Sequence, residues 1–314
     1  MAKRWLRWGL IAVAGVNAIA AAAAYTMTHY RGLGEFGLGS PKPVNAKVPA
    51  DMGLNYATQK IPLSSKAWIE TWQIPAPQTE SNGTVLLFPG SGGTKGNQLL
   101  PPAKAFHALN YDALLVDFQG VGGSSGNTRT LGMKEARDVA AAFEYANRAK
   151  LKRPIVLYGV SMGSAAILRA IALERVQPDA VILELPFARL VDAVKSRFQF
   201  FKIPNFGLAE LLVLWGSLQH GANGFAHNPV TFARQVDCPA LVFQGRQDRW
   251  TTVAEVEGLV KNLRGPKELV VFPKADHQLL VTVDKSRWTR SVDSFLRQIE
   301  NPALSPATPY RAGI

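Results

Sequence analysis

A serine stands between two glycines in the stretch LYGVSMGSAA, residues 157–166. Gly159 and Gly163 lie two positions before and two after Ser161, where an apolar run changes to an alanine-rich helical pattern. A Gly-x-Ser-x-Gly turn between a strand and a helix holds the serine exposed, with small neighbours that let both arms approach. The pattern predicts that Ser161 is a nucleophile at the positive end of a helix, where a developing oxyanion is stabilised. An ordinary glycine-flanked turn is the alternative.

A serine hydroxyl needs a base that takes its proton. His277 is the histidine that follows the last apolar strand pattern, in FPKADHQLL, where a loop can carry it over the edge of a sheet. The other histidines stand near the N-terminus, ahead of a strand pattern or in an irregular segment: His29, His107, His220 and His227. We therefore predict His277 as the general base.

An acid must orient that histidine. Asp248 follows the strand pattern ALVFQ and lies between the serine and the histidine, which gives the chain order Ser, Asp, His. Glu184, at the end of the strand pattern after the serine, is the rival acid. Asp276 is adjacent to His277, and we expect it to point away because neighbouring side chains diverge. Asp248 is the predicted acid.

Two backbone N–H groups are needed to bind an oxyanion. Met162 directly follows the nucleophile, and the stretch LLFPGSGGTKGN follows a strand pattern with glycines that let the backbone turn near the site. We predict the N–H groups of Met162 and Ser91 as the two donors. A phosphate-cradling loop is the alternative, but the P-loop spacing and its lysine are missing. This chemistry requires neither a metal nor an organic cofactor.

Short apolar runs alternate with helical patterns along the chain. The predicted strands are Trp68–Ile74, Thr84–Phe88, Ala113–Asp117, Ile155–Gly159, Ala180–Leu183, Ala240–Gln244 and Glu268–Phe272. The predicted helices are Leu131–Arg148, Met162–Arg175, Val253–Leu263 and Ser286–Ile299. This alternation predicts an α/β fold with a mostly parallel central sheet covered by helices on both faces.

Several of these stretches together resemble the serine-hydrolase branch of the α/β-hydrolase superfamily, near monoacylglycerol lipases, serine aminopeptidases and their membrane-anchored relatives. LLFPGSGG, LLVDFQGVGGSSG, LYGVSMGSAA, PALVFQGRQD and ADH carry the resemblance, which covers about residues 60–300. It implies an α/β-hydrolase fold. The residues it implies are the triad and the oxyanion donors already named: Ser161, Asp248, His277, Ser91 and Met162. Pro89 stands where the family usually has histidine, and Gln119 where relatives have arginine, so the resemblance specifies no substrate.

Residues 186–236 lie between two strand patterns and are predicted to form a small helical cap before the strand that carries the acid. Within it, FQFFKIPNF and LAELLVLWGSL are strongly apolar. Apolar residues recur at helical spacing at Leu208, Leu211, Leu212, Trp215 and Leu218. We expect most of these side chains to pack against the sheet. An acyl-chain pocket or a lid on a membrane surface is the alternative.

The N-terminus carries a basic cluster and then an apolar run. The run covers Gly9–Ala24, continues to residue 28 and is interrupted only by Asn17; the basic residues before it are Lys3, Arg4 and Arg7. A helix of that length just crosses a bilayer core, and the basic flank stays in the cytoplasm. Residues 1–30 are therefore predicted to anchor an exported catalytic domain in the membrane. A cleaved signal peptide and a secreted protein are the alternative.

Composition limits the remaining classes. The 314 residues are 47% hydrophobic and have a formal net charge of +12. We see no basic stripe or zinc-ligand spacing, which argues against nucleic acid as a partner and favours anionic lipid. The single cysteine, Cys238, excludes an internal disulfide. We predict a linker over residues 31–50, one catalytic domain over residues 51–300 and a loose tail over residues 301–314.

The predicted activity is hydrolysis of carboxylic ester or thioester bonds through an acyl-enzyme. Its expected substrate is a small acyl ester or a lipid-like molecule, because the cap is apolar. An amide is less favoured, since no clustered acids are present to bind a peptide amino terminus. A serine peptidase of the aminopeptidase type is the first alternative, and a non-catalytic scaffold on a hydrolase fold is the second.

Overall fold

A computed structural model describes residues 2–32, 36–301 and 312–313. The strands are β1 (Tyr30–Arg31), β2 (Ser40–Pro41), β3 (Ala57–Pro62), β4 (Trp68–Ile74), β5 (Thr84–Phe88), β6 (Asp112–Val116), β7 (Ile155–Val160), β8 (Ala180–Glu184), β9 (Ala240–Gly245), β10 (Lys267–Phe272) and β11 (Ala312–Gly313). The helices are α1 (Ala2–Thr28), α2 (Leu100–Ala108), α3 (Glu135–Arg148), α4 (Met162–Leu173), α5 (Leu190–Phe200), α6 (Leu208–His220), α7 (Pro229–Phe232), α8 (Val253–Asn262), α9 (Leu280–Val283) and α10 (Lys285–Glu300).

Within the described residues, nine strands form one sheet in the order β11-β10-β9-β8-β7-β5-β6-β4-β3. Neighbouring strands are parallel except at β4, which pairs antiparallel with both β3 and β6. The chain passes from β5 to β6 on one side and later returns to β7 on the other. The strand order thus reverses at β5, and such a switch point opens a crevice at the carboxyl ends of the two strands beside it.

The central strands are buried on both faces, which explains their continuous apolar sequences. Neighbouring residues of each strand pack into separate cores. Leu86 of β5 and Leu157 of β7 pack on one face of the sheet, and Val85 and Val156 pack on the other. This two-sided burial fixes the register of β5 and β7. The loops that leave their carboxyl ends are thereby held in position.

The predicted strands and helices of the sheet region are confirmed to within a few residues. The structure adds β3 and α2, which the sequence patterns did not indicate. Helix α3 begins at Glu135 rather than at Leu131, because Leu131 and Gly132 adopt positive φ values of 53° and 104°. A turn with such backbone angles cannot continue a right-handed helix.

The segment between β8 and β9 forms α5, α6, a short turn and α7. Only its last part joins the main core, where Phe232 packs against residues of the sheet and of α4. Helix α6 lies against α1 and α5, so the expectation that most of its apolar side chains pack on the sheet is wrong. The helical spacing correctly indicated an apolar face, but spacing does not specify which element covers that face.

The N-terminal helix and the segment after it both contact the rest of the chain. The part of α1 from Arg4 to Thr28 is long and apolar enough to cross a membrane. In the segment predicted as a linker, Lys42 donates to Ser124 O at 2.7 Å, and Asn45 donates to Asp117 Oδ2 at 2.9 Å. Residues 33–35 of that segment lie outside the described residues, as does most of the predicted C-terminal tail. Of that tail, Ala312–Gly313 pairs with β10.

Candidate active site

The turn between β7 and α4 holds Ser161 in an unusual conformation. Its φ of 50° and ψ of −106° are strained for a residue with a Cβ atom. Hydrogen bonds hold the turn: the Ser161 N–H donates to Glu184 O at 2.7 Å, and the Ser164 hydroxyl donates to Gly159 O at 2.6 Å. The neighbouring strand and the first turn of α4 thus maintain the strain and keep the serine on the outside of the bend.

The two glycines of the motif are required by close packing. A Cβ atom at position 159 would lie 2.6 Å from the carbonyl carbon of Gly163. A Cβ atom at position 163 would lie 2.5 Å from the carbonyl oxygen of Phe88, at the end of β5. Glycine at these positions therefore lets α4 approach both its own strand and the neighbouring strand β5.

The structure brings Ser161, His277 and Asp248 together from three separate loops. His277 Nε2 lies 3.0 Å from Ser161 Oγ, and His277 Nδ1 lies 2.7 Å from Asp248 Oδ2. The imidazole thus lies between hydroxyl and carboxylate, within hydrogen-bond distance of both. Its side chain is 17% exposed, whereas that of Asp248 is fully buried. This arrangement can pass a proton from the hydroxyl to Nε2 while the carboxylate holds Nδ1–H.

The carboxylate of Asp248 is fixed by donors around it. Its Oδ1 accepts from the backbone N–H of Trp250 at 2.7 Å and of Thr251 at 3.1 Å. Its Oδ2, which faces His277, also accepts from Gln244 Nε2 at 3.1 Å. A buried carboxylate with these donors holds one orientation, and it therefore defines the orientation of the imidazole.

The two rival acids have other partners. Glu184 is fully buried and accepts hydrogen bonds from the Tyr158 hydroxyl, the Trp288 indole and the Leu280 N–H. Burial raises the pKa of Glu184 above its ordinary value. Asp276 accepts from Arg249 Nε at 2.9 Å, and its side chain is directed to that arginine rather than to the imidazole.

The remaining histidines lie elsewhere in the fold. His107 is half-buried on α2, and His227 is enclosed at the base of the cap with its Nε2 3.0 Å from Leu131 O. His29 and His220 stack on each other, with ring centroids 5.0 Å apart, where α1 meets α6. None of the four has a hydrogen bond to Ser161 among the described residues.

The predicted oxyanion donors lie on the two loops beside the switch point. Met162 is the first residue of α4, whose opening N–H groups have no acceptor within the helix. Ser91 follows β5, in a turn where Gly90 N–H donates to Gln98 Oε1 at 2.6 Å and Gly93 N–H donates to Gly90 O at 3.0 Å. Among the described residues the Ser91 N–H has no acceptor.

A buried lysine supports this loop, and the sequence patterns did not identify it. Lys95 is fully buried. Its Nζ forms ion pairs with the carboxylate of Asp117 and with Glu70 Oε1, which lies 2.8 Å away. Its backbone N–H also donates to Asp117 Oδ1 at 2.8 Å. A buried charge needs such partners, so the ion pairs fix the loop that carries Ser91. The lysine within GGTKG, following a glycine-rich turn, is the signal that could have revealed it.

An apolar cavity of about 340 Å³ adjoins the Ser91 loop. Its walls come from α5, α6 and the end of α1, together with residues 129–133. Two of its lining residues, Arg129 and Arg197, are cationic, and no carboxylate lines it among the described residues. Arg197 also lies over the Trp250 ring at 4.7 Å, next to Asp248. The cavity can hold a hydrocarbon chain beside a negatively charged or strongly polar group.

Solved structures with the same architecture include an esterase and an α/β hydrolase. An esterase of Pyrococcus furiosus, Pf2001, superposes with a TM-score of 0.66, covering 82% of this chain and 98% of its own at 21% identity. The α/β hydrolase GrgF of a Penicillium species superposes with a TM-score of 0.61, covering 79% and 99% of the two chains at 20% identity. The chain has the α/β-hydrolase fold. At these identities the similarity concerns the fold.

Sequence comparison finds one matching family profile and several relatives of known sequence. The profile of a family described as serine aminopeptidase, S33, matches residues 79–220. Protein bem46 of Schizosaccharomyces pombe is 26% identical over 158 residues, which are 50% of this chain and 52% of that protein. The mouse lysophosphatidylserine lipase ABHD12 is 28% identical over 178 residues, 54% of this chain and 42% of that protein. The matches to the first curated relatives span about half to two thirds of their length.

Proposed function

We propose that this α/β hydrolase is a serine hydrolase that cleaves the carboxylic ester bond of single-chain, lipid-like substrates. The observation that carries the proposal is the hydrogen-bonded series of Ser161, His277 and Asp248 at the carboxyl ends of the central strands. Unlike a turn serine without a base, Ser161 lies within hydrogen-bond distance of an imidazole that a buried carboxylate orients. The hydrolases among the relatives support the same reaction class.

In the proposed reaction, Ser161 Oγ attacks the ester carbonyl while His277 Nε2 takes its proton. The N–H groups of Met162 and Ser91 bind the oxyanion of the tetrahedral intermediate. His277 then protonates the leaving alcohol, and an acyl group stays on Ser161. Water, deprotonated by the same imidazole, attacks the acyl-enzyme and releases the acid. Throughout, Asp248 holds Nδ1–H and stabilises the imidazolium.

The apolar cavity favours an acyl ester over a peptide. An aminopeptidase needs a carboxylate that binds the substrate's ammonium group, but among the described residues the cavity is lined by Arg129 and Arg197 instead. Neither arginine forms an ion pair with a carboxylate within the described part of the chain. Their charges favour an acidic lipid, such as a lysophospholipid, over a neutral one. The lysophosphatidylserine lipases among the relatives are consistent with that class.

A fluorophosphonate probe and a series of esters test the function. We expect the probe to label the wild-type protein on Ser161, and the Ser161→Ala variant to fold but to resist labelling. Its kcat on p-nitrophenyl esters should fall by at least about 10⁴-fold. Near-wild-type hydrolysis by Ser161→Ala would contradict the proposal. A folded wild-type protein without labelling or turnover would instead support a non-catalytic scaffold.

Comparing headgroups at one acyl chain tests the substrate class. Lysophosphatidylserine, lysophosphatidylcholine and monoacylglycerol with the same chain are presented in the same detergent. We expect the highest kcat/KM for the lipid with net negative charge, and Arg197→Met should reduce that preference. Hydrolysis of aminoacyl-amides in preference to all three esters would favour the aminopeptidase alternative.

A further inference from the structure

The apolar helix at the N-terminus has specific polar contacts with the cap. Trp215 Nε1 on α6 donates to Asn17 Oδ1 at 3.2 Å, and Gln219 Nε2 donates to Ala21 O at 2.8 Å. Asn17 is the one polar interruption of the apolar run, and its amide also donates to Val13 O at 2.9 Å. A polar side chain in the middle of such a helix is costly without partners. Asn17 finds its partner in the cap, as expected for a helix that is not cleaved from the protein.

The packing face of α1 is built from small residues. Ala20 and Ala24 are 7% and 3% exposed, and together with Asn17 and Thr28 they follow the spacing of one helical face. Small side chains on one face let two helices approach closely within a membrane. The end of α1 is joined to the catalytic domain, where Arg129 Nε donates to Met27 O at 2.6 Å.

This docked helix also encloses the cavity beside the Ser91 loop. Ala24, Met27 and Thr28 line one side of the cavity, and Leu212, Val213 and Gly216 of α6 line the adjacent side. Removing α1 would leave the cavity open along that side. The helix predicted as a tether therefore takes part in forming a binding site.

The cap presents a second apolar surface next to α1. Phe201 is 63% exposed, Phe206 is 93% exposed and Leu218 is 62% exposed, all on α6 or on the turn that leads into it. Exposed aromatic and aliphatic side chains on this scale mark an interaction surface. Since this surface continues from a helix long enough to span a bilayer, hydrocarbon is the environment that fits it.

We propose that α1 is one wall of the acyl-chain site and that the cap lies in the same bilayer, so that a substrate chain enters the cavity directly from the lipid. This inference rests on the proposed ester hydrolase activity and extends it. It assigns the last turn of α1 to binding of the acyl chain, close to the loop that carries Ser91.

Photocrosslinking on the wild-type full-length protein tests the wall directly. A fluorophosphonate with a dodecyl tail and a terminal diazirine is reacted with the protein in phosphatidylcholine vesicles and then irradiated. We expect one adduct on Ser161 and a crosslink from its tail to the peptide containing Ala24–Thr28. An adduct on Ser161 with crosslinks confined to residues 131–220 would overturn this inference and leave the proposed function intact. No adduct on Ser161 would overturn both.

A matched pair of substitutions on α1 provides the second measurement. Met27→Trp narrows the cavity, while Ala22→Trp places the same ring on the exposed face of the helix. We expect Met27→Trp to lower kcat/KM for p-nitrophenyl palmitate by about tenfold or more, and to lower it more than kcat/KM for p-nitrophenyl acetate. Ala22→Trp should change neither. Equal chain-length profiles for all three proteins would overturn the inference, and thermal unfolding shows whether each variant is folded.

Discussion

The backbone N–H of Leu280 donates to Glu184 Oε1 at 2.7 Å, three residues beyond His277. Glu184 ends β8, so this contact connects the loop of the histidine to the strand beside the nucleophile. Its other oxygen accepts from the Tyr158 hydroxyl at 2.8 Å and from the Trp288 indole at 2.9 Å. Glu184, the alternative acid considered from the sequence, therefore holds the loop of His277 in position but makes no hydrogen bond to the imidazole.

Replacing Glu184 should separate this positioning role from that of the triad acid. Glu184→Gln keeps one acceptor oxygen, and we expect it to fold with kcat reduced by about 10²-fold, because small misplacements of a catalytic group cost that much. KM should change little. Glu184→Ala leaves three buried donors unpaired and should lower the free energy of unfolding by about 3 kcal/mol or more. Unchanged kcat in both variants would show that the loop does not depend on this contact.

Asp248→Asn should be far more damaging to catalysis than Glu184→Gln. An amide at position 248 accepts poorly from Nδ1–H and favours the wrong imidazole tautomer, which costs about 10⁴-fold in kcat in a comparable triad. Circular dichroism and thermal unfolding check that the variant is folded. If Asp248→Asn is nearly silent while Glu184→Gln abolishes turnover, the orienting acid has been assigned to the wrong carboxylate.

Gly163 offers a steric test with a matched control. Gly163→Ala places a methyl group 2.5 Å from Phe88 O, and we expect it to lower the free energy of unfolding by about 1–3 kcal/mol and to reduce labelling of Ser161. Gly258→Ala, on α8, meets no atom within 4 Å. It should raise stability by about 0.5–1 kcal/mol. Equal stabilities for the two variants would contradict the packing described at the nucleophile turn.

His227 should make stability depend on pH. Burial, reinforced by Arg169, lowers the pKa of His227 to about 3 from 6.5. A lowered pKa means that the folded state favours the neutral ring, so the stabilisation is complete above pH 6.5 and is lost as the pH falls toward 3. Between about pH 7 and about pH 4.5, this group alone should cost about 2–3 kcal/mol of unfolding free energy.

Chemical denaturation at several pH values measures that loss in wild type and in His227→Gln. The glutamine variant should lose less stability on acidification, because it has no ring to protonate. His107→Gln is the control, since its side chain is only half-buried on α2, and it should retain the wild-type profile. Parallel curves for wild type and His227→Gln would exclude this histidine as the source.

Full-length protein from its own host tests the membrane anchor. The contacts of Asn17 and Ala21 with α6 can form in the mature protein only if residues 17–28 are retained. We expect an intact mass that includes these residues, and activity that stays in the membrane fraction after carbonate extraction. A mature N-terminus near Tyr25 with activity in the soluble exported fraction would support the signal peptide and would contradict the anchor.

The sequence predicts structure best where a segment is buried on all sides or where a motif requires a specific chemistry. Strands buried on both faces read as plain apolar runs, so β5, β7, β8 and β9 were predictable. By contrast, β3 lies at the sheet edge with five of its six residues exposed, and therefore has no apolar pattern. Helix α2 was obscured by Pro101 and Pro102, although proline is well tolerated in the first turn of a helix.

Contacts between residues far apart in the sequence were also difficult to predict. The order of Ser161, Asp248 and His277 indicated a triad, because loops at the carboxyl ends of parallel strands meet at one edge. The partner of α6 had no comparable signal. Its apolar spacing fits any hydrophobic neighbour, and a pattern along one segment does not encode contact with a helix about 200 residues away. The burial of Lys95 could not be predicted for the same reason, because its partners Glu70 and Asp117 are remote in sequence.

The docking of α1 on α6 joins two segments that are synthesised at different times. The hydrogen bonds of Asn17 and Ala21 join residues separated by 198 positions, so α1 is synthesised well before the helix on which it docks. Both sides of the cavity have emerged from the ribosome once residue 220 emerges, whereas Asp248 and His277 emerge later. Among the described residues, every segment that lines the cavity is thus synthesised before the proposed catalytic base, His277. A chain that stops between these points carries the cavity segments and the nucleophile without the means to activate it.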